Sequence, residues 1–149
     1  MDDEHLYKSH NKTLLMYHLV FPLKYRKKVI SEESGKTMVE ICKGLSERYE
    51  IEFIEIGYES DHVHFLVQSV PKMSVSQMVC TIKSIIAREM FRLHPEIKSL
   101  LWGGNFWTSG FYVNTVGLYA GKEVIQKYVR NQGKEEEYKK IHSGQLKLF

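Results

Sequence analysis

The segment Asp61-His62-Val63-His64-Phe65-Leu66-Val67 holds two histidines separated by a single residue. On a strand, alternate residues share a face, so His62 and His64 project together while Val63, Phe65 and Val67 project to the other side. Two imidazoles fixed in this way can share a divalent metal at about 2.0–2.1 Å each. The motif is short, and a pair of surface histidines on a sheet would read the same. A second constellation lies in Ile125-Gln126-Lys127-Tyr128-Val129-Arg130-Asn131-Gln132, where Tyr128 and Gln132 are four apart and share one face of a helix. A helical tyrosine commonly serves packing, and a glutamine near a helix end is commonly solvated. Ile125 and Val129 are the main apolar anchors of this helix. So thin a stripe docks weakly unless the polar face has work to do as well.

Together these residues make a reaction. A phenol with a pKa of about 10 is a poor nucleophile at neutral pH until a metal or base assists it. A divalent ion polarises phosphoryl oxygens and neutralises charge that develops in the transition state. Gln132 can offer its amide oxygen as a third, hard ligand and so bring Tyr128 to the metal. Attack of the tyrosine on a DNA phosphate would give a 5′-phosphotyrosine and a free 3′-hydroxyl. The phosphodiester energy is kept, and rejoining needs no ATP.

The elements that must position these groups can be read in order. Thr13–Phe21 is nearly continuously apolar, as in a strand buried on both faces, and Pro22 disfavours further pairing. Ser31 is a plausible N-cap for a helix reaching about Tyr49, with Met38, Ile41, Cys42 and Leu45 as its stripe. Ile51–Tyr58 and His62–Val70 form two strands joined by Glu59-Ser60-Asp61. Ser74 with Gln77 resembles a capping box, opening a helix with Met78, Ile82, Ile85, Ile86 and Met90 on its apolar side and Pro95 as its stop. After a turn-rich bridge at Leu100–Gly104, Phe106–Val116 supplies an aromatic strand, and a last helix covers about Lys122–Gln132 with Gly133 beyond it. The order β-α-β-β-α-β implies an α+β, ferredoxin-like antiparallel sheet with two helices on one face, plus a C-terminal helix carrying the tyrosine. The other face would be open, carrying His62, His64, Leu66 and Gln68. A single domain, 1–149, accounts for the chain, with a core of about 13–133 and a charged tail at 134–149.

Composition limits the alternatives. The chain has 149 residues, 43% hydrophobic content and a net charge of +3, which suits one mildly basic domain and excludes a large multi-domain enzyme. Lys24, Arg26, Lys27 and Lys28 crowd into five residues around Tyr25. Such a run is a solvated loop by default, and phosphate tracking with base stacking by function. Cys42 and Cys80 lie in apolar helical patterns without a C-x-x-C pair, and read as buried small hydrophobes of a reducing cytosol. His18, sharing parity with Met16 and Val20, reads as a core histidine. Trp102, Phe106 and Trp107 read as core and interface, though one could stack on an extruded base. Asp61 and Glu59 are turn acids, and Asp61 could equally orient a metal-bound imidazole. The polar N-terminus is unlike a targeting segment, and no apolar run nears the roughly 20 residues that cross a membrane. A cytoplasmic protein without membrane contact is expected.

At these residues the sequence resembles the single-tyrosine transposases of the HUH nuclease superfamily, encoded by insertion sequences that move as single strands. Asp61-His62-Val63-His64 is followed 64 residues later by Tyr128-x-x-x-Gln132. Tyr17-His18-Leu19-Val20-Phe21 with Lys24-Tyr25-Arg26 is similar as well, as is Leu101-Trp102-Gly103-Gly104-Asn105-Phe106-Trp107 with Gly110 and Thr115-Val116-Gly117. The likeness runs from about Leu14 to Gly133. It implies a catalytic Tyr128, a metal site of His62, His64 and Gln132, and magnesium or manganese as the ion. It also implies a homodimer, the tyrosine helix of one subunit being able to serve the other, and single-stranded DNA with hairpin ends as the partner. In such a protein Lys24, Arg26, Lys27, Lys28 and Arg130 would touch DNA. Other readings are a domesticated hairpin-binding relative, a water-using metal nuclease with a structural Tyr128, and a non-catalytic module whose sheet aromatics stack bases.

Overall fold

The computed structural model describes residues 5–8, 11–102 and 104–116. Strand β1 (Leu6–Lys8) and strand β2 (Asn11–Thr13) form a small antiparallel hairpin of their own. The main sheet begins with β3 (Leu15–Pro22), followed by a 3-10 turn at Lys24–Arg26 and helix α1 (Glu32–Arg48). Strands β4 (Glu52–Tyr58) and β5 (His62–Ser69) make a hairpin. Helix α2 (Val75–Leu93), the short helix α3 (Pro95–Leu100) and strand β6 (Tyr112–Val116) follow. The four long strands lie in the order β4-β5-β3-β6, every neighbour antiparallel. That is the expected ferredoxin-like arrangement, with β5 and β3 at its centre. The expected C-terminal helix and tail lie outside the described residues.

Local chemistry sets the helix ends. Ser31 accepts from the Ser34 amide while the Ser34 hydroxyl accepts from the Ser31 amide, and Ser74 and Gln77 do the same at α2. Such caps contribute about 1 kcal/mol each. Pro95 ends α2 as expected, but its fixed φ also suits the first turn of α3, a short helix that the sequence pattern does not announce between Pro95 and the expected bridge at Leu100–Gly104. Gly35 lets the first turn of α1 rest on the Tyr58 ring, since a side chain there would overlap it.

The helices cover one face of the sheet. Leu19, Phe21, Val63, Phe65 and Val67 from the strands meet Met38, Cys42 and Leu45 of α1 and Met78, Ile82, Ile86 and Met90 of α2. Full burial of each large apolar side chain stabilises by about 1.5–3 kcal/mol, so this layer dominates the fold. Cys80 departs from expectation and is exposed. Two residues from both Met78 and Ile82, its side chain lies nearly half a turn around the helix from each.

The strand expected over Phe106–Val116 is shorter. Phe106 and Trp107 are buried, but only a single bridge joins Leu23 to Trp107. Lys83 of α2 accounts for the difference. Its ammonium donates to the carbonyls of Thr108 and Gly110 at 2.9 Å each, and the Trp107 indole donates back to the Lys83 carbonyl at 3.0 Å. Those backbone groups face the helix rather than a sheet ladder. Among the described residues, no helix is long and apolar enough to cross a membrane.

Candidate active site

His62 opens β5 and His64 follows on the same face, in the best-buried strand of the sheet. The register sets His62 opposite Pro22 of β3, and His64 between Val20 of β3 and Gly57 of β4. Asp61 precedes the pair at the tip of the hairpin connection. Its Oδ1 lies 2.9 Å from Nδ1 of His62, and its Oδ2 lies 3.6 Å from a terminal nitrogen of Arg26. An ionised carboxylate only accepts, so the imidazole Nδ1–H donates and the lone pair is left on Nε2. The Asp61 carbonyl accepts from the Leu23 amide at 2.9 Å, which anchors this acid to the end of β3.

His64 is positioned by a different device. Its ring lies across Gly57, where a methyl group would overlap its Nε2 and Cε1. His18 of β3 sits diagonally opposite, with ring centroids 6.2 Å apart and planes nearly perpendicular. His18 in turn makes an edge contact with Tyr112 of β6. Nδ1 of His64 is buried without a hydrogen-bond partner among the described residues.

The face that carries these histidines was expected to be open. It is not: His18, His62, His64, Leu66 and Gln68 are all 5% exposed or less. Burial governs their protonation. Desolvation pulls His64 down to about 4, with His18 and His62 adding to the effect. Desolvation also brings His18 to about 4, against an opposing contribution from Asn114. His62 is lowered by the same desolvation, which the Asp61 hydrogen bond and charge oppose. The pair is neutral at pH 7, the form in which imidazole binds a metal. Burial also counts against a base-stacking sheet, which needs exposed aromatics on the central strands.

The fit to a metal can be tested on this geometry. The His62 and His64 ring centroids are 6.4 Å apart and tilted by 32°. Two imidazoles on one ion would have ring centres on the order of 4.5–5 Å apart, given metal–nitrogen bonds of about 2.0–2.1 Å. The rings suit two positions on an ion after closing by 1–2 Å, roughly a side-chain adjustment. Among the described residues, no group of three or more His, Cys, Asp or Glu could hold an ion. The expected third ligand Gln132, the nucleophile Tyr128 and the basic Arg130 lie outside the described residues.

Comparison with known proteins decides the family. Residues 11–132 match the family described as "Transposase IS200 like". The chain belongs to the IS200-like transposase family. It is 33% identical over 122 residues to the ISDra2 transposase TnpA of Deinococcus radiodurans, covering 82% of this chain and 86% of that one. It is 30% identical over 128 residues to the transposase for insertion sequence element IS200 of Salmonella typhimurium, covering 86% of this chain and 83% of that one. A crystal structure of a candidate transposase from Deinococcus radiodurans superposes with a TM-score of 0.70 at 29% identity, covering 85% of this chain and 97% of that one.

The basic loop of this IS200-like transposase lies beside the histidines. Lys24 and Arg26 belong to the 3-10 turn that leaves β3, and Lys28 is exposed. Arg26 reaches back to Asp61, so the loop and the His62 carboxylate are one network. Lys27 donates to the Leu100 carbonyl at 2.8 Å and lies 3.8 Å over the Trp102 ring. Phe106 and Trp107 are core, as expected, whereas Trp102 is 75% exposed. The sequence reading missed Gly57. A three-residue connection at Glu59–Asp61 would set Gly57 opposite Val63, whereas the observed register is offset by one residue and sets it opposite His64.

Proposed function

We propose that this transposase cuts and rejoins single-stranded DNA at the ends of an insertion sequence, with Tyr128 as nucleophile. A divalent ion, magnesium or manganese, would be held by His62, His64 and Gln132. The reading rests on one observation above all: the neutral histidine pair on β5, with Nδ1 of His62 already committed to Asp61. Membership of a transposase family and relatives named for the elements ISDra2 and IS200 support the choice of substrate.

When bound, the ion would polarise the scissile phosphate and offset its developing charge. The protein groups do the rest. Asp61 keeps His62 in one tautomer, and Gly57 keeps room for His64. The Tyr128 oxygen attacks phosphorus and loses its proton as the new P–O bond forms. The bond from phosphorus to the 3′ oxygen breaks, and that oxygen takes up a proton to leave as a 3′-hydroxyl. The product is a 5′-phosphotyrosine. Attack of a 3′-hydroxyl on that linkage restores a phosphodiester and frees the tyrosine, so the cycle needs no external energy. Two copies of the chain acting on hairpin-bearing ends complete the proposal.

The test is incubation with labelled single-stranded oligonucleotides from the flanks of the gene, with manganese or magnesium, resolved on a denaturing gel. A covalent protein–DNA band that requires metal and disappears in Tyr128→Phe is expected. Cleavage without such a band, surviving Tyr128→Phe, would instead identify a water-using nuclease. Binding without cleavage in either metal would leave a hairpin-binding relative.

A further inference from the structure

The exposed surface beside the histidines is built in an unusual way. Tyr25 is 60% exposed and Trp102 75% exposed, yet the two rings meet, with centroids 5.6 Å apart and planes inclined by 49°. They come from different segments, the 3-10 turn after β3 and the turn after α3. Both residues adopt left-handed backbone conformations, with φ of 59° and 57°, and Arg26, next to Tyr25 in the chain, has φ of 52°. Bulky side chains avoid this region, and strain of this kind concentrates where a site needs a fixed shape. Lys27 fastens the assembly, its ammonium lying 3.8 Å over the indole while it donates to the Leu100 carbonyl. Lys24 lies 5.4 Å from the Tyr25 ring centroid, and Lys28 is exposed nearby.

An exposed tryptophan could serve a lipid surface, a protein partner or a nucleobase. The charge selects among them. Lys24 and Lys27 lie against the rings, exposed Lys28 follows in the chain, and no acid of the described residues is paired with any of these three cations. Aromatic faces interleaved with cations match unpaired bases strung on phosphates. Position agrees with this choice, because Arg26, next to Tyr25, is the residue that reaches Asp61 and through it His62. A strand engaged at the histidines would therefore pass over this loop.

We propose that Trp102 and Tyr25 form a stacking platform for an unpaired base of the DNA strand, with Lys24, Lys27 and Lys28 on its phosphates. The inference rests on the reading that the protein acts on single-stranded DNA, and it adds a base-binding subsite separate from the metal ligands. Stacking tolerates any base, so the platform would hold the strand in place without reading its sequence.

The full-length protein would be titrated with fluorescein-labelled dT20 and with an abasic oligomer of the same length and charge. The native protein should prefer dT20, and Trp102→Ala should weaken dT20 by about 5- to 150-fold while leaving the abasic oligomer unchanged. Trp102→Phe should keep most of the preference. Trp102→Gly separates function from folding, since glycine is at ease at this φ. Its melting temperature should hold or rise while the preference for bases is lost. Equal binding of dT20 by Trp102→Ala and native protein would overturn the platform, as would a fall of several degrees in Trp102→Gly. Conversion of a dimer to a monomer by Trp102→Ala, with base preference intact, would make the patch a subunit contact and also overturn it. If the native protein forms the Tyr128 adduct while Trp102→Ala changes nothing, only the platform fails. If the native protein binds no single-stranded DNA at all, the broader reading fails with it.

Discussion

Consider the substitution Gly57→Ala, which adds one methyl group four residues before Asp61. The methyl would overlap Nε2 and Cε1 of His64, and ordinary contact begins at 3.4–4 Å, so the ring must withdraw by more than about 1 Å. Sites that bind a ligand through a few atoms tolerate displacements of only about 0.5 Å. The expected loss of manganese affinity is therefore at least the roughly 10- to 100-fold that follows removal of an orienting partner. Stability responds less. Overpacking costs about 1–3 kcal/mol, and replacing a strand glycine returns about 0.5–1 kcal/mol. A net penalty of about 1–2 kcal/mol lowers the melting temperature by roughly 2–10 °C in a domain of this size. Calorimetric titration with manganese at pH 7.5, beside thermal unfolding without metal, measures both quantities on one sample. A folded Gly57→Ala protein that binds manganese as tightly as the native one would refute the reasoning, for it would mean that His64 does not need its place over Gly57.

Three further outcomes are expected. Asp61→Ala should weaken manganese binding about 10- to 100-fold, while Asp61→Asn, which keeps an acceptor for Nδ1 of His62, should lose much less; the same titration checks both. Thiol titration with Ellman's reagent should find one reactive cysteine in the native protein and two in denaturant, because Cys80 is exposed whereas Cys42 is buried with its thiol pushed up to about 12 by desolvation. Burial lowers Lys83 from 10.5 to about 8, so between these values the unfolded chain binds more protons than the native one. The contribution of Lys83 to stability therefore rises with pH across that window, and the native protein should gain on Lys83→Met when melting temperatures are compared at pH 8 and pH 10.

How much of this was legible depends on the range of the interactions. The capped starts of α1 and α2 at Ser31 and Ser74 are local, with donor and acceptor within three residues, and they stand where the sequence places them. The β4–β5 hairpin and the shared face of His62 and His64 follow from a period of two, which needs no tertiary knowledge. Long-range effects were not legible. Nothing near Phe106 announces that a lysine 25 residues before Thr108 captures the carbonyls of Thr108 and Gly110 and so shortens β6. The β1–β2 hairpin arises in a polar segment with no apolar alternation to reveal it. The burial of the histidine face was also hidden, because a strand pattern says which residues share a side and not whether that side is covered.

The two histidines are oriented by unlike means, and this bears on how a site of this kind can vary. His62 is held by a directional bond to Asp61, so its ring depends on one side chain and, through Arg26, on the basic loop. His64 is held by shape, its place fixed by the missing side chain of Gly57 and by the edge of His18. Damage to the first device leaves a turned but accessible imidazole, which an asparagine can largely restore. Damage to the second fills the space itself, and no change at His64 can recover it. Asp61→Asn and Gly57→Ala should therefore differ in rescue as well as in size. A small side chain in place of His18 would relieve the crowding made by Gly57→Ala, whereas it would do nothing for Asp61→Ala. Manganese affinity recovered in Gly57→Ala by His18→Ala, and in no Asp61 background, would tie each device to its own histidine.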